Sequence, residues 1–261
     1  MKIIEVVRAL ERFAPLPLQE SFDNAGLQVG LTEAEVSGAL LCLDVTSSIV
    51  DEAVEKECNL IVSHHPLIFR PLKRVVGADD VQRAVAKAIK HDITILSMHT
   101  NMDNALGGVN FKMAEKMQLT GVKFFTEKQV DGITCGSGVM GELPVAMAAD
   151  DFIMMLKREF DVECVQCNQL LRRPIRTVAI CGGAGSFLLP EAIAAGADAF
   201  VTGEMHYHDY FAHEQEIQIA VIGHYQSEQY TYEIFKSIIE EQCEGVRCVV
   251  TSQNTNPIIY L

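Results

Sequence analysis

A repeat within the chain limits its fold more than any other feature. Ala39–Leu43 is a short apolar strand, Ile49–Cys58 reads as a helix with Ile49, Val50, Ala53 and Val54 inward, and Leu60–Ser63 is a second apolar strand. The same order returns without a gap over residues 178–204 as VAIC, FLLPEAIAAGADA and AFVTGE. In that alignment Cys42 meets Cys181, Glu52 meets Glu191, Ala53 meets Ala192 and His65 meets Glu204. Each copy continues through another helix into another apolar strand, ITILSMHTNMD in the first and IAVIGHYQSE in the second. Parallel strands need a crossover, and strand–helix–strand supplies one. The expected fold is therefore α/β, an internal duplication of two similar α/β domains. A polar connection at residues 121–132 sets the expected halves at 1–125 and 126–261.

Composition closes off several function classes. With 261 residues, 49% of them hydrophobic, the chain is long enough for real cores. Its net charge of −14 and lack of a Lys/Arg block argue against a duplex-binding surface, so nucleic acid is not an expected partner. Met1–Phe13 places Ile3, Ile4, Val7 and Leu10 on one helical face, with Glu5, Arg8 and Glu11 interrupting any signal-peptide core. No apolar run approaches the ~18 residues of a membrane span. Eight scattered cysteines suggest reduced thiols and a cytoplasmic setting. Cys164-Val-Gln-Cys167 is read as part of a strand, since Val162, Cys164 and Gln166 alternate.

The chemistry-bearing residues collect at strand ends, where open α/β sheets bind ligands. His64-His65 ends one strand. His99 with Asp103, and His224 with Glu228, repeat a His-to-acid spacing at two others. Adjacent residues of an extended segment point to opposite faces, and Pro66 keeps His65 extended. Either one histidine is structural, or each serves a different ion of a close pair. The second option requires acids, and Asp103 and Glu228 are the candidates, with His224 a further imidazole. Glu228 is expected in the first turn of a last helix spanning roughly Ser227–Cys243, where the macrodipole favours a carboxylate. Imidazole with carboxylate suits zinc, iron, manganese, cobalt or nickel better than calcium. A site shared by the two halves is the natural inference.

Three segments remain. Cys181-Gly-Gly-Ala-Gly-Ser186 joins strand to helix, so Gly183, Gly185 and Ser186 are candidate phosphate binders, although the segment lacks the dinucleotide fingerprint and reads equally well as a tight turn. Ser21–Gly30 is read as turn and strand, with Asp23 and Asn24 structural. Glu204-Met-His-Tyr-His208 puts His206 and His208 near the cleft without making them ligands.

Taken as an ordered set, SFDNAGLQVG, SHHPLIF, HTNMDNALGGVN, ICGGAGS and GHYQSE resemble the Nif-three-like family, whose members are often labelled type-two GTP cyclohydrolase I homologues. The resemblance spans nearly the whole chain. It implies a duplicated α/β fold, a dinuclear metal site in the cleft between the halves, and a ring-shaped homohexamer. Carried over by position, the family's ligands fall on His64, His65, Asp103, His224 and Glu228. The implied cofactor is two divalent ions, zinc before iron, manganese, cobalt or nickel. The implied activity is metal-dependent hydrolysis of a nucleotide-like substrate, in the GTP version attack at C8 of guanine with loss of formate, and Glu228 is its candidate catalytic residue. The alternative, from another class, is a metal-binding scaffold or metal-handling protein without turnover.

Overall fold

In the computed structural model, which describes residues 1–259, the chain forms two compact units. Unit 1 comprises Met1–Ala105 and Thr231–Pro257, and unit 2 comprises Leu106–Tyr230 with Ile258 and Ile259. The division expected at residue 125 is thus displaced. The chain leaves unit 1 after Ala105, and its last helix and strand return to it because their partners are there.

Unit 1 is built on a five-stranded sheet of β1 (Gly26–Val29), β2 (Ala39–Cys42), β3 (Leu60–Ser63), β4 (Thr94–Ser97) and β13 (Cys248–Val250), ordered β1-β4-β3-β2-β13. Strands β13, β2, β3 and β4 are parallel, and β1 runs antiparallel to β4. Helices α2 (Ser47–Glu55) and α3 (Asp80–Lys90) pack Ile49, Val50, Ala53, Ala84, Val85 and Ala88 against Leu40, Ile61 and Ile95. Helix α1 (Ile3–Phe13) packs with α9 (Thr231–Gln242), which also meets β2 and β13. With helices around the sheet, every residue of β2, β3 and β4 is buried, which explains their unbroken apolar runs. Burying one such Leu, Ile or Val contributes roughly 1.5–3 kcal/mol. Thr46 accepts a hydrogen bond from the Ile49 amide at 3.3 Å and Asp79 one from the Gln82 amide at 2.8 Å, capping α2 and α3. On α1 the buried residues are Ile3, Val6, Val7, Ala9 and Leu10, while Ile4 is half-buried.

Register decides where the polar residues land. Cys42 pairs with Ser63 and Ser63 with Ser97, so the three strands end level. The residues just beyond them, Asp44, His64-His65 and His99, therefore emerge at one sheet edge.

Unit 2 holds a six-stranded sheet of β5 (Thr120–Phe124), β8 (Val139–Met147), β9 (Gln166–Cys167), β10 (Ile175–Cys181), β11 (Ala199–Thr202) and β12 (Gln218–Val221), ordered β5-β8-β10-β11-β12-β9. A separate hairpin joins β6 (Lys128–Val130) and β7 (Ile133–Cys135). Strands β10, β11 and β12 are parallel and end level, Cys181 opposite Thr202 and Thr202 opposite Val221. Helices α5 (Val109–Lys116) and α6 (Ala149–Glu159) bring Met113, Ala114, Phe152 and Leu156 onto Val178 and Ile180. A second core joins Leu189 and Ala192 of α7 (Leu189–Ala194) to Phe200 and Ile219. Between β11 and β12 the expected further helix is only a 3-10 turn, Tyr207–Tyr210, because EMHYHDYFAHEQEIQ has no apolar stripe at helical spacing.

Two short helices follow the third parallel strand of each unit, α4 (Thr100–Asn104) and α8 (His224–Glu228). The single last helix expected from residue 227 is interrupted at Gln229–Tyr230, so Glu228 closes α8 rather than opening α9. Its carboxylate is placed by packing, not by a helix N-terminus. Among the described residues no helix is long and apolar enough to cross a membrane.

Candidate metal centre

In unit 1 three imidazoles crowd the level strand ends. His64 and His65 have ring centroids 5.0 Å apart, and His99 stands 5.3 Å from the first and 5.5 Å from the second. One ligand atom from each lies within 4.8 Å of the others. The backbone that holds them is tightly bonded. The His65 amide donates to Leu43 O at 2.9 Å and the Met98 amide to Ser63 O at 2.8 Å. The Ser63 hydroxyl donates to His65 O at 2.9 Å and pairs with the Ser97 hydroxyl at 2.8 Å. Since Ser63 gives its only proton to the carbonyl, Ser97 is the donor between the two.

Each ring is anchored through Nδ1. His64 Nδ1 meets the Met98 carbonyl at 2.9 Å, His65 Nδ1 meets Asp44 Oδ1 at 2.7 Å, and His99 Nδ1 meets Asp23 Oδ1 at 2.7 Å. An oxygen acceptor there requires the proton on Nδ1, which leaves the Nε2 lone pair for another partner. This is the arrangement by which proteins orient metal-binding histidines. The anchors are themselves held. Asp44 also accepts from the Thr255 hydroxyl at 2.6 Å, and Asp23 from the Thr100 amide at 3.0 Å and the Thr100 hydroxyl. Burial alone raises both carboxyls. For Asp23 the His99 and Thr100 hydrogen bonds outweigh it and bring the pKa down to about 2, and for Asp44 the His65 ring and Thr255 hold it below the usual range. Asp103, on the turn of α4 that His99 opens, puts Oδ1 3.6 Å from His64 Nε2.

Unit 2 repeats the chemistry with one imidazole. Gly223, at φ 99°, turns the chain into α8. His224 Nδ1 meets Glu204 Oε1 at 2.8 Å, and its Nε2 lies 3.1 Å from Glu228 Oε2. Glu228 is buried against the turn after β10, where a Cβ added at Gly183 would stand 2.2 Å from Oε1. The Gly183 amide donates to Ser227 Oγ at 2.9 Å and its carbonyl accepts the Glu204 amide at 2.9 Å.

All the sequence-chosen ligands of unit 1, His64, His65 and Asp103, come together, and so do His224 and Glu228 in unit 2. The donor set, imidazole nitrogens with carboxylate oxygens, fits a zinc-like divalent ion. The turn considered for phosphate has a different local role. Gly183 makes room for Glu228, Gly185 is packed where a Cβ would meet Cys181 and Thr202, and only Ser186 opens into a cavity. That cavity, of 370 Å³, is also lined by Cys164, Gln166, Glu204, His206 and His224. His208 stacks on Phe211 instead. Asp23, read as structural, orients His99. The sequence places His99 at a strand end without counting it among the ligands, and no spacing points to Asp44 or Glu204 as ring anchors. For His99 the signal was present, since its spacing to Asp103 equals that of His224 to Glu228. Cys164 and Cys167 are exposed free thiols, the second in edge strand β9.

A family model described as Duf34/NIF3 (NGG1p interacting factor 3) matches residues 1–257. A Clostridium perfringens protein named GTP cyclohydrolase 1 type 2 homolog is 31% identical over 265 residues, covering all of both chains. A Drosophila melanogaster protein named NIF3-like protein 1 is 28% identical over 99% of this chain and 89% of its own. Among solved structures, Staphylococcus aureus hypothetical protein SA1388 superposes with a TM-score of 0.91 at 29% identity, covering 100% of this chain and 99% of that one.

Proposed function

Because the chain belongs to the Duf34/NIF3 family, we propose that it binds two divalent metal ions through His64, His65, Asp103, His224 and Glu228 and hydrolyses a nucleotide-like substrate. One observation carries this reading. Four imidazoles, His64, His65, His99 and His224, each have Nδ1 tied to an oxygen, which fixes the ring direction, and the Nε2 atoms of His64 and His224 face the Asp103 and Glu228 carboxylates. When bound, such ions supply Lewis acidity and a water acidified toward neutral pH. The residues of the chain orient the donors. Asp44, Asp23 and Glu204 fix ring direction and tautomer, and Gly183 and Ser227 hold the position of the Glu228 carboxylate. The matching strand order of β2-β3-β4 and β10-β11-β12 supports an internal duplication as the origin of the two ligand sets. A six-membered ring is the proposed assembly and the cytoplasm the proposed compartment.

Metal analysis of protein purified without chelator or affinity metal, paired with a nucleotide hydrolysis screen, tests the reading. About two ions per chain, lost in Asp103→Ala, are expected. Turnover should vanish in Glu228→Ala with the fold retained, and equal activity in both proteins would identify a contaminant.

A second reading is favoured by the state of the neighbouring acids. Asp23, Asp44 and Glu204 are each committed to a histidine, which removes them as general bases. A metal-handling protein without turnover needs no base. Full metal occupancy, ready transfer of the ion to an apo-acceptor and no nucleotide hydrolysis would select it.

A further inference from the structure

Residues 69–76, Phe-Arg-Pro-Leu-Lys-Arg-Val-Val, follow closely on the histidine pair. Arg70, Lys73 and Arg74 are all exposed, and the stretch contains no acid. Among the described residues none of these three side chains makes an ion pair or hydrogen bond within the chain. Elsewhere basic side chains do find carboxylates: Arg83 with Asp80 at 3.2 Å, Arg176 with Glu142 at 2.9 Å, and Lys87 with Asp51. In a molecule of net charge −14, three cations close together in sequence and paired with no carboxylate are a local excess of positive charge.

The segment is fixed at its root beside the imidazoles. Asn24 Nδ2 donates to Ile68 O at 2.7 Å, the Ile68 amide donates to Gln28 Oε1 at 3.1 Å, and Leu67 is buried. Phe69, 46% exposed, stands edge-on to His99 with ring centroids 6.2 Å apart. Arg70 is the next residue, and Lys73 lies at most about 14 Å of extended chain from Phe69. An open aromatic ring therefore borders the imidazole cluster, and three cations follow it within the next five residues of chain.

We propose that residues 69–74 bind the phosphate-bearing substrate of the imidazole site. Arg70, Lys73 and Arg74 take the phosphate oxygens, and Phe69 packs against a planar ring. The proposal rests on the hydrolase reading for the reaction and names the segment that would hold the phosphate and the aromatic heterocycle of its substrate. Guanidinium groups recognise phosphate through paired N–H donors, which suits two arginines with a lysine between them. A large acidic partner would meet the same cations, but the −14 field of the whole chain would repel it, whereas a compact ester brings its charge to this segment alone.

Calorimetric titration of the full-length, metal-loaded protein with guanosine, GMP and inorganic pyrophosphate tests this. GMP should bind at least about tenfold tighter than guanosine. In Arg70→Ala/Lys73→Ala/Arg74→Ala that ratio should fall below about threefold, with metal content and guanosine affinity unchanged, while Arg70→Lys/Arg74→Lys keeps most of it. Phe69→Leu should weaken GMP and guanosine alike and leave pyrophosphate unaffected. An equal affinity of the wild type for GMP and guanosine overturns the proposal, as does an unchanged ratio in the triple variant. So does failure of both GMP and pyrophosphate to bind at millimolar concentration. Phosphate-dependent binding that needs the three cations, without hydrolysis of any nucleotide, would defeat the hydrolase reading and leave this one standing.

Discussion

The Glu228 carboxylate lies directly on the backbone of Gly183, so close that a methyl group there would stand 2.2 Å from Oε1. Gly183 also has φ 56°, which costs a non-glycine residue roughly 1–2 kcal/mol. Gly183→Ala should therefore lower the melting temperature and push Glu228 out of place. Thermal denaturation and metal content, measured together, check this. A variant that melts normally and keeps its metal would show that the carboxylate does not depend on the turn.

The bond between His65 Nδ1 and Asp44 carries a separate expectation. Removing the acceptor in Asp44→Ala frees the ring to rotate and to change tautomer, and such losses typically cost 10–100-fold in metal affinity. Competition against a chromophoric chelator measures it. An affinity equal to that of the wild type would mean that Pro66 and the strand end suffice to aim His65.

Asp198 gives a pH dependence away from the metal residues. Burial raises its carboxyl, but the Thr177 and Arg176 amides, each at 2.9 Å, and the Arg173 guanidinium bring it below the usual value. A depressed carboxylate contributes stability above its unfolded pKa, and that contribution is lost as pH falls through the folded value. The wild type should thus lose melting temperature below about pH 4 more steeply than Asp198→Asn, while being the more stable at pH 7. Parallel curves would remove Asp198 from the acid response.

Ending the chain at Tyr230 should abolish the folding of unit 1. The truncation takes away α9, with buried Ile234, Phe235, Ile238 and Ile239, and uncovers the edge of β2 that β13 pairs. Limited proteolysis of the shortened chain should leave a resistant core within residues 106–230 only. A protected fragment containing His64 and His65 would contradict this.

The parts legible in the sequence were those written locally. Buried parallel strands announce themselves as short apolar runs, so β2, β3, β4, β10, β11 and β12 are all legible, and the polar residues His64, His65, His99 and His224 stand just beyond their ends. What escaped depends on contacts distant in the chain. Asp23 reaches His99 and Asp44 reaches His65 across folds of the backbone that no spacing encodes. The return of residues 231–257 to unit 1 is likewise a pairing between the first and last parts of the chain. The break between α8 and α9 is not legible because the apolar spacing, Ile234, Phe235, Ile238 and Ile239, begins only after it and no Pro or Gly marks it, so the sequence puts Glu228 at the wrong helix end.

The placement of β13 sets a timetable for synthesis. Residues 106–230 leave the ribosome as a contiguous block, whereas the sheet that carries His64, His65 and His99 lacks an edge strand until residues 248–250 have been made. At about 5–20 residues per second, residues 106–230 are complete a second or more before β13 has been made. The first segment translated is then closed late, and the imidazole cluster matures only once residues 248–250 have joined its sheet.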